Sequence, residues 1–330
     1  MGRPIPNAEL CVVVVNYRTP DMVIDCLKTA VPQLRALGGK LVLVDNASAD
    51  DSVERLGKWI EDEQVDDCVH LIASPVNGGF AAGNNLGIQS CEADFYLLLN
   101  SDTLVREGAF ETLLRAARAE PQVGLVSPRL EWPDGTPQES CFRYHRPMSE
   151  LIRSAGSGVV TRLLATYDVP LRVTETRSFP EWTSFACVLI RREVLERIGL
   201  LDEGYFMYFE DVEFSYRARE AGFRILHEPA ARVVHLRGGS APVKKQARLR
   251  KRLPRYFYES RTRYFHALYG RSGLLAANLL WSLGWSVSSC RDAVQPQYQS
   301  PVAQSQWRDI WTNFWSPHAA YTHPGGGKRS

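Results

Sequence analysis

The sequence predicts an α/β fold built on a mostly parallel sheet, and three observations carry that expectation. Strand-like and helix-like segments alternate through about the first hundred residues, the strand-like runs are continuously apolar, and each run ends on polar residues. Alternation implies right-handed crossovers onto a parallel sheet. Continuous apolar runs imply strands covered on both faces.

The elements follow in order. "LCVVVVNY" (10–17) is β-branched and unbroken by charge, as a buried strand requires. "TPDMVIDCLKTAVPQLRAL" (19–37) reads as a helix entered through Thr19, with Pro20 at its first position and Gly38-Gly39 at its close. "KLVLVDNAS" (40–48) is a second strand, "ADDSVERLGKWIEDE" a second helix and "VHLIAS" (69–74) a third strand. "NGGFAAGNNLGIQS" (77–90) is a glycine-rich loop passing into a short helix, and "DFYLLLNSD" is the fourth strand. Residues 133–180 are rich in Pro, Gly, Ser and Arg, with one helix expected near "MSELIRSAGSGVVTRLLATY". "TSFACVLIRREVLERIG" gives a strand and a helix, "LDEGYFMYFEDVEFSYRAREAGF" an aromatic loop leading into a helix, and "ARVVHLRGGS" a closing strand.

Composition bounds the function classes. The chain has 330 residues, 45% hydrophobic and 23% charged, which is ordinary for a globular protein. A net charge of +2 favours no partner by itself. Seven scattered cysteines without a CxxC pair are expected to be reduced and mostly buried, as in a cytoplasmic protein. No signal peptide is expected, because the opening residues run straight into a strand. The uncharged run from Ser272 to Cys290 holds Asn278, two glycines and five serines, a weak pattern for a spanning helix.

Ligands on a parallel sheet bind outside the carboxyl ends of the strands. Polar residues stand at those ends: Asn16 and Tyr17, Asp45 and Asn46, Asn77, then Asn100, Ser101 and Asp102. Together they read as one rim facing a ligand. Asp102 is either a ligand for a hard cation such as Mg²⁺ or Mn²⁺, completed by a diphosphate, or a turn cap. His235, near another strand end, is either structural or a second ligand. Asp45 either accepts a hydrogen bond from the imide N–H of uracil or thymine, or caps its turn. "NGGFAAGNN" lacks Walker or GxGxxG spacing, but its glycines would let backbone approach a ribose or phosphate, with Asn84 and Asn85 adding donors and acceptors. In "YFMYFEDVEF", Glu210 and Asp211 stand at a helix start behind aromatic residues. The helix N-terminus favours the ionised carboxylate and the apolar neighbours oppose it, which suits a general base; the alternative is a pair of capping acids.

Taken together, "VVVVNYRTPD", "LVLVDNASAD", "NGGFAAGNNLGI", "YLLLNSDT", "FACVLIRREV", "LDEGYFMYFEDVEFSYRAREAGFRIL" and "ARVVHLRGGS" resemble inverting family 2 glycosyltransferases of the GT-A nucleotide-sugar fold, over about residues 9 to 240. The bacterial rhamnosyltransferase-like branch is the nearest resemblance. It implies that Asn100-Ser101-Asp102 occupies the DxD position, with Asp102 and His235 holding the metal. It implies that Asn16, Tyr17, Asp45, Asn77, Gly79, Phe80 and Asn84 line the donor, that Asp211 is the base and that Glu210 holds the acceptor or a loop. Phe185 stands where glycine is usual, and its ring is expected to narrow the sugar or acceptor pocket. The implied reaction moves a sugar, L-rhamnose from dTDP-rhamnose as the first choice, from a dTDP- or UDP-linked donor to a glycan or polyprenyl-diphosphate-linked acceptor. Two rival readings are a sugar-nucleotide nucleotidyltransferase, which would want an early glycine loop that "VNYRTPD" lacks, and a degenerate, non-catalytic nucleotide-sugar-binding protein.

The domains expected are 1–240, the catalytic sheet, and 241–330, a basic and aromatic helical extension with a disordered "HPGGGKRS" end. Between Ala241 and Arg271 ten Lys or Arg face one acid, Glu259, a balance of +9. That run reads as a solvated helix face or an anionic membrane contact, with no nucleic-acid partner expected. Trp307, Trp311 and Trp315, four apart, are expected to form one stripe of a helix, for packing or for a membrane interface. The expected location is cytoplasmic, peripheral on the inner face of the membrane.

Overall fold

The computed structural model describes residues 5–237, 246, 249–295 and 301–324. Gly238 to Ser240 of the closing motif, Lys244, Lys245 and Arg248 of the basic run, and the "GGGKRS" end lie outside the described residues. The chain divides into two compact units. One comprises Met1–Phe142, Arg172–Glu203 and Asp211–Ser240; the other comprises Arg143–Leu171, Gly204–Glu210 and Ala241–Ser330.

The first unit is built on strands β1 (Ile5–Asn16), β2 (Lys40–Asp45), β3 (Val69–Ala73), β4 (Cys91–Asn100), β5 (Thr103–Val105), β6 (Val123–Glu131), β9 (Cys187–Arg191) and β10 (Arg224–His235), with the small ribbon β7 (Cys141–Phe142) and β8 (Trp182–Thr183) beside them. The eight-stranded sheet runs β3-β2-β1-β4-β9-β6-β10-β5. Its first four strands are mutually parallel, whereas β9 is antiparallel to both β4 and β6, and β5 is antiparallel to β10. Apolar periodicity marks these two strands but carries no direction.

Alternate residues of β1 serve opposite faces, as a pleated strand requires. Val12 and Val14 join a core with α1 (Pro20–Ala36), α2 (Ser52–Asp62) and α4 (Ala109–Ala119), through Leu27, Leu56 and Phe110. Cys11 and Val13 join a second core with α3 (Gly79–Gln89), α7 (Arg192–Ile198) and α8 (Glu210–Glu220), through Ile88, Val194 and Phe214. The expectation of strands covered on both faces therefore holds. The glycines of α3 have a packing reason: a Cβ on Gly87 would stand 2.3 Å from Val13 Cγ1, and one on Gly83 would stand 2.9 Å from Val15 Cγ1. They let the helix press onto β1, and the loop expected to pass into a short helix over 77–90 is helical from Gly79. Phe185 is likewise a core residue. Its ring meets Phe214 edge-on at 5.8 Å and is 2% exposed, so it fills the interior and does not narrow a pocket.

The second unit holds α5 (Pro147–Ala155), α6 (Gly158–Leu163), α9 (Arg255–Val294, bent at Gly270) and the short α10 (Gln306–Asp309). The single helix expected over 148–167 is broken at Gly156, whose left-handed φ of 51° ends α5. Phe206, Tyr256, Trp281 and Ile310 are among its core residues. Two expectations for this region fail. The three tryptophans do not share a helix, because α10 stops at Asp309 and Asn313 takes a left-handed φ of 56°. Nor is the basic run one solvated face: Arg261 is fully buried, Arg252 pairs with Asp309 at 2.7 Å and Arg255 with Glu259 at 2.7 Å. Six of the seven cysteines are buried thiols, and Cys290 is exposed. Among the described residues no helix is long and apolar enough to cross a membrane.

Candidate functional site

The register of the sheet brings the polar strand ends level. Asn16 pairs with Asp45 across β1 and β2, and Val15 pairs with Asn100 across β1 and β4, so three of the expected residues sit along one edge. The carboxamide of Asn16 donates to Asp45 Oδ1 at 2.7 Å and to Ser48 Oγ at 3.2 Å. Ser48 in turn donates to Asp45 through its hydroxyl at 2.6 Å and its N–H at 3.1 Å. Asn16 is fully buried, and Asp45 is 3% exposed. Asn16 thus braces Asp45. The Oδ2 oxygen of Asp45 accepts the Ser48 N–H and keeps a second lone pair. Tyr17 is half-buried, with the Arg18 guanidinium 5.1 Å from its ring centre.

Asn46 ties the next rim residues together. Its amide donates to Asn77 Oδ1 and to the Gly79 carbonyl, each at 3.0 Å, while Gly79 N–H donates to Asn77 Oδ1 at 3.0 Å. Gly79 needs its left-handed φ of 82° for this turn. Asn84, 2% exposed, donates to the Phe80 carbonyl one helical turn back, at 2.9 Å.

Asp102 and His235 are brought together from positions 133 residues apart in sequence. The short strand β5 pairs with the end of β10, setting His235 opposite Thr103, and Leu236 N–H donates to the Asp102 carbonyl at 2.9 Å. His235 Nε2 lies 3.4 Å from Asp102 Oδ1, and both side chains are about nine-tenths buried. Among the described residues, buried His235 Nδ1 has no hydrogen-bond partner. A hard carboxylate oxygen and an imidazole nitrogen at this separation fit a divalent cation whose remaining ligands come from phosphate and water. Among the described residues no cluster of three His, Cys, Asp or Glu could hold a metal.

Sequence reasoning missed the support beneath this pair. Gln138, from the Pro- and Gly-rich stretch, donates to the carbonyls of His235 at 2.7 Å and Glu131 at 3.1 Å, and accepts from Arg237. Arg237 adopts a left-handed φ of 52°, donates to the Glu139 carbonyl at 3.2 Å and lies over Trp132. Burial pulls its guanidinium below the ordinary value, against the opposing charges of Glu139 and Asp102. Behind them Glu131 is fully buried between Arg106 at 2.9 Å and Arg232 at 2.8 Å. Burial raises the Glu131 carboxyl, but the two guanidiniums outweigh it and hold it below its usual value. Gln138→Leu is expected to lower stability by about 1–3 kcal/mol, because it strips the donor from the His235 carbonyl and the acceptor from Arg237. Thermal denaturation reads the loss, and an unchanged melting temperature would show that this brace is dispensable.

Asp211 is half-buried at the start of α8, where its carboxylate accepts the Val212 N–H at 2.9 Å. Glu210, the residue before it, is 6% exposed. Tyr208 and Phe209 just before it both take left-handed φ values, 71° and 70°, a strained backbone that two aromatic residues adopt only when the surroundings enforce it.

The comparisons bear on this arrangement. The N-acetylglucosaminyl-diphospho-decaprenol L-rhamnosyltransferase of Mycobacterium tuberculosis is 28% identical over 211 residues, 59% of this chain and 66% of that protein. The low-salt glycan biosynthesis hexosyltransferase Agl10 of Haloferax volcanii is 27% identical over 66% of this chain and 64% of its own. The chain thus spans a little under two thirds of the length of these relatives. Among solved structures, GalNAc-T7 with UDP, GalNAc and Mn²⁺ matches at a TM-score of 0.55 and 16% identity, covering 88% of this chain and 58% of that one. The mannosyltransferase PcManGT of Pyrobaculum calidifontis, with GDP-Man and Mn²⁺, matches at 0.52 and 18%, covering 96% and 86%. These likenesses identify the sheet as a GT-A fold. The sequence profile described as glycosyltransferase like family 2 matches residues 6–255, from the first strand past the closing histidine, and the chain belongs to that family.

Proposed function

We propose that the protein is a metal-dependent, inverting glycosyltransferase that moves a hexose, L-rhamnose from dTDP-rhamnose as the first choice, onto a hydroxyl of a cell-surface glycan or lipid-linked acceptor. The observation that carries this reading is the Asp102–His235 pair at the sheet edge of a family 2 chain, 3.4 Å apart. Asp102 and His235 would hold Mg²⁺ or Mn²⁺, which when bound neutralises charge on the departing diphosphate. The Mn²⁺ bound with nucleotide or nucleotide sugar in both fold neighbours supports that assignment. The free lone pair of Asp45 Oδ2 suits the imide N–H of thymine or uracil, and Asn16 and Ser48 fix that carboxylate in place. Asn77, Gly79, Phe80, Asn84, Asn100 and Ser101 form the rest of the donor rim, with Tyr17 beside Asn16. Asp211 takes the proton from the acceptor hydroxyl as its oxygen attacks the anomeric carbon, the nucleoside diphosphate leaves from the opposite face, and the configuration inverts. Glu210 orients the acceptor. The rhamnosyltransferase relative, whose name specifies a decaprenyl-diphosphate acceptor, supports a polyprenyl-diphosphate-linked substrate, and the chain would meet such a lipid at an anionic membrane surface.

Thermal denaturation with UDP, dTDP, GDP and CDP, each with and without Mn²⁺, tests the donor site. At a hundredfold excess over its dissociation constant a ligand specific for the native state adds about 2.7 kcal/mol. Stabilisation by dTDP or UDP that needs Mn²⁺, and is lost in His235→Ala, is the expected result. Equal stabilisation with and without the metal would remove Asp102 and His235 from their assigned role.

A further inference from the structure

We propose that the outer face of α9 beyond Gly270, with Trp311 and Trp315 at one end, is a docking surface for an anionic lipid bilayer. This deepens the reading of an acceptor met at a membrane by naming the face that lies against it.

Leu275, Leu279, Leu283 and Val287 recur every four residues and are 40%, 55%, 54% and 41% exposed. On a helix that spacing makes one stripe. The inner face of the same helix is filled by Leu274, Ala277, Asn278, Trp281, Gly284 and Ser288, all buried, so the exposed stripe is not the side facing the unit's own core. A helix lying on a soluble protein normally turns charge to water there. Here no charged residue occurs between Ser272 and Cys290. At its Arg271 end the stripe opens into an apolar groove of about 630 Å³, lined by Arg271, Ser272, Leu275, Trp311, Phe314 and Trp315. Trp315 is 78% exposed, and the Arg271 guanidinium stands 5.8 Å from its ring centre.

The chemistry selects the occupant. Exposed tryptophan beside arginine suits the headgroup boundary of a bilayer, where an indole finds apolar and polar surroundings together. The charge agrees: residues 241–330 carry fourteen Lys or Arg against three acids, Glu259, Asp292 and Asp309. Glu259 and Asp309 are buried in ion pairs with arginine, so they offer anionic headgroups little repulsion. The helix is not apolar enough to span the membrane, whereas a helix with one apolar face lies in its surface.

Co-sedimentation of the full chain with vesicles of phosphatidylcholine alone, and of phosphatidylcholine with phosphatidylglycerol, tests this. The wild type should bind the anionic vesicles, and Leu279→Glu/Leu283→Glu should weaken that binding about tenfold or more. Both leucines are exposed, so the melting temperature should not change; a variant that fails to fold would be replaced by Trp315→Ala, for which weaker vesicle binding is again expected. Binding undiminished in the folded variants, or no binding by the wild type, overturns the proposal. So does a wild-type dimer that dissociates in the variant and binds no vesicle, which would make the face a contact between copies. Nucleotide stabilisation with Mn²⁺ on the same samples separates the two readings. Its loss with vesicle binding intact would sink the transferase reading alone, and its persistence without vesicle binding would sink the docking face alone.

Discussion

Asp211→Asn is expected to lower sugar transfer by about 10²–10⁴-fold, the usual contribution of a positioned general base, while leaving nucleotide binding in place. The substitution isolates basicity from shape. An asparagine Oδ1 can still accept the Val212 N–H that the carboxylate accepts at 2.9 Å, so the first turn of α8 keeps that hydrogen bond. What disappears is the group able to take a proton. Two measurements decide the assignment: turnover, and stabilisation by the nucleotide with Mn²⁺. Turnover within about tenfold of wild type would place the base elsewhere, because a lost general base costs at least a further factor of ten. Loss of nucleotide stabilisation would mean that Asp211 shapes the donor site. Glu210→Gln separates the two neighbouring acids. A residue that orients the acceptor should raise KM more than it lowers kcat, since it contributes to binding in the ground state and the transition state alike.

Much of this architecture is legible in the chain because the physics that sets it is local. Val12 through Val15 read as a buried strand since every side chain in the run prefers the interior, and both cores receive them. The strand-end polar residues are legible for the same reason, since a run that stops being apolar has reached the edge of the sheet. The reversal of β9 and the pairing of β5 with β10 depend on contacts between distant segments, and no periodicity records them. The closeness of Asp102 to His235 follows from that second pairing. From sequence both could be placed at strand ends, but not against each other.

The misreadings have equally physical causes. Gln138 lies in a stretch without pattern, and its importance comes from two carbonyls it reaches across the fold. Asn16 reads as a rim residue, and its part in bracing Asp45 goes unread, because an amide at a strand end can serve the neighbouring turn as well as a ligand. Tryptophans four apart suggest a helix, yet spacing alone does not make one, and the left-handed Asn313 lies between the second and the third. A run of arginines suggests a solvated face, since isolated charge is rarely buried. That inference fails at Arg261, whose partners lie far from it in sequence.

Arg261→Met should therefore cost about 3–5 kcal/mol, the penalty of leaving half of a buried ion pair behind. Arg261 and Glu150 are 0% and 1% exposed. Nε and Nη2 of the guanidinium reach Glu150 Oε2 at 2.9 and 2.8 Å, Nη1 reaches Asn278 Oδ1 at 2.7 Å, and the group stands over Phe265 at 4.8 Å. Arg153, 2.7 Å from the same carboxylate, would remain, but it is partly exposed and does not fill the space. Burial pushes the Glu150 carboxyl up, and Arg153 and Arg261 together outweigh it, holding it below its ordinary value of 4.5. The pair's stabilisation is thus fully present above pH 4.5 and is lost as pH falls through the lower folded value. Without Arg261 the carboxyl rises relative to the wild type, so the variant's deficit should narrow as the pH is lowered. Glu150→Leu/Arg261→Met supplies the control: removing both charges should recover most of the stability that the single change loses, since an apolar pair of similar volume leaves no buried charge unmatched. If chemical denaturation shows the double variant as unstable as the sum of the singles, the two residues act independently, and the arginine stabilises the unit through its contacts with Phe265 and Asn278 within α9.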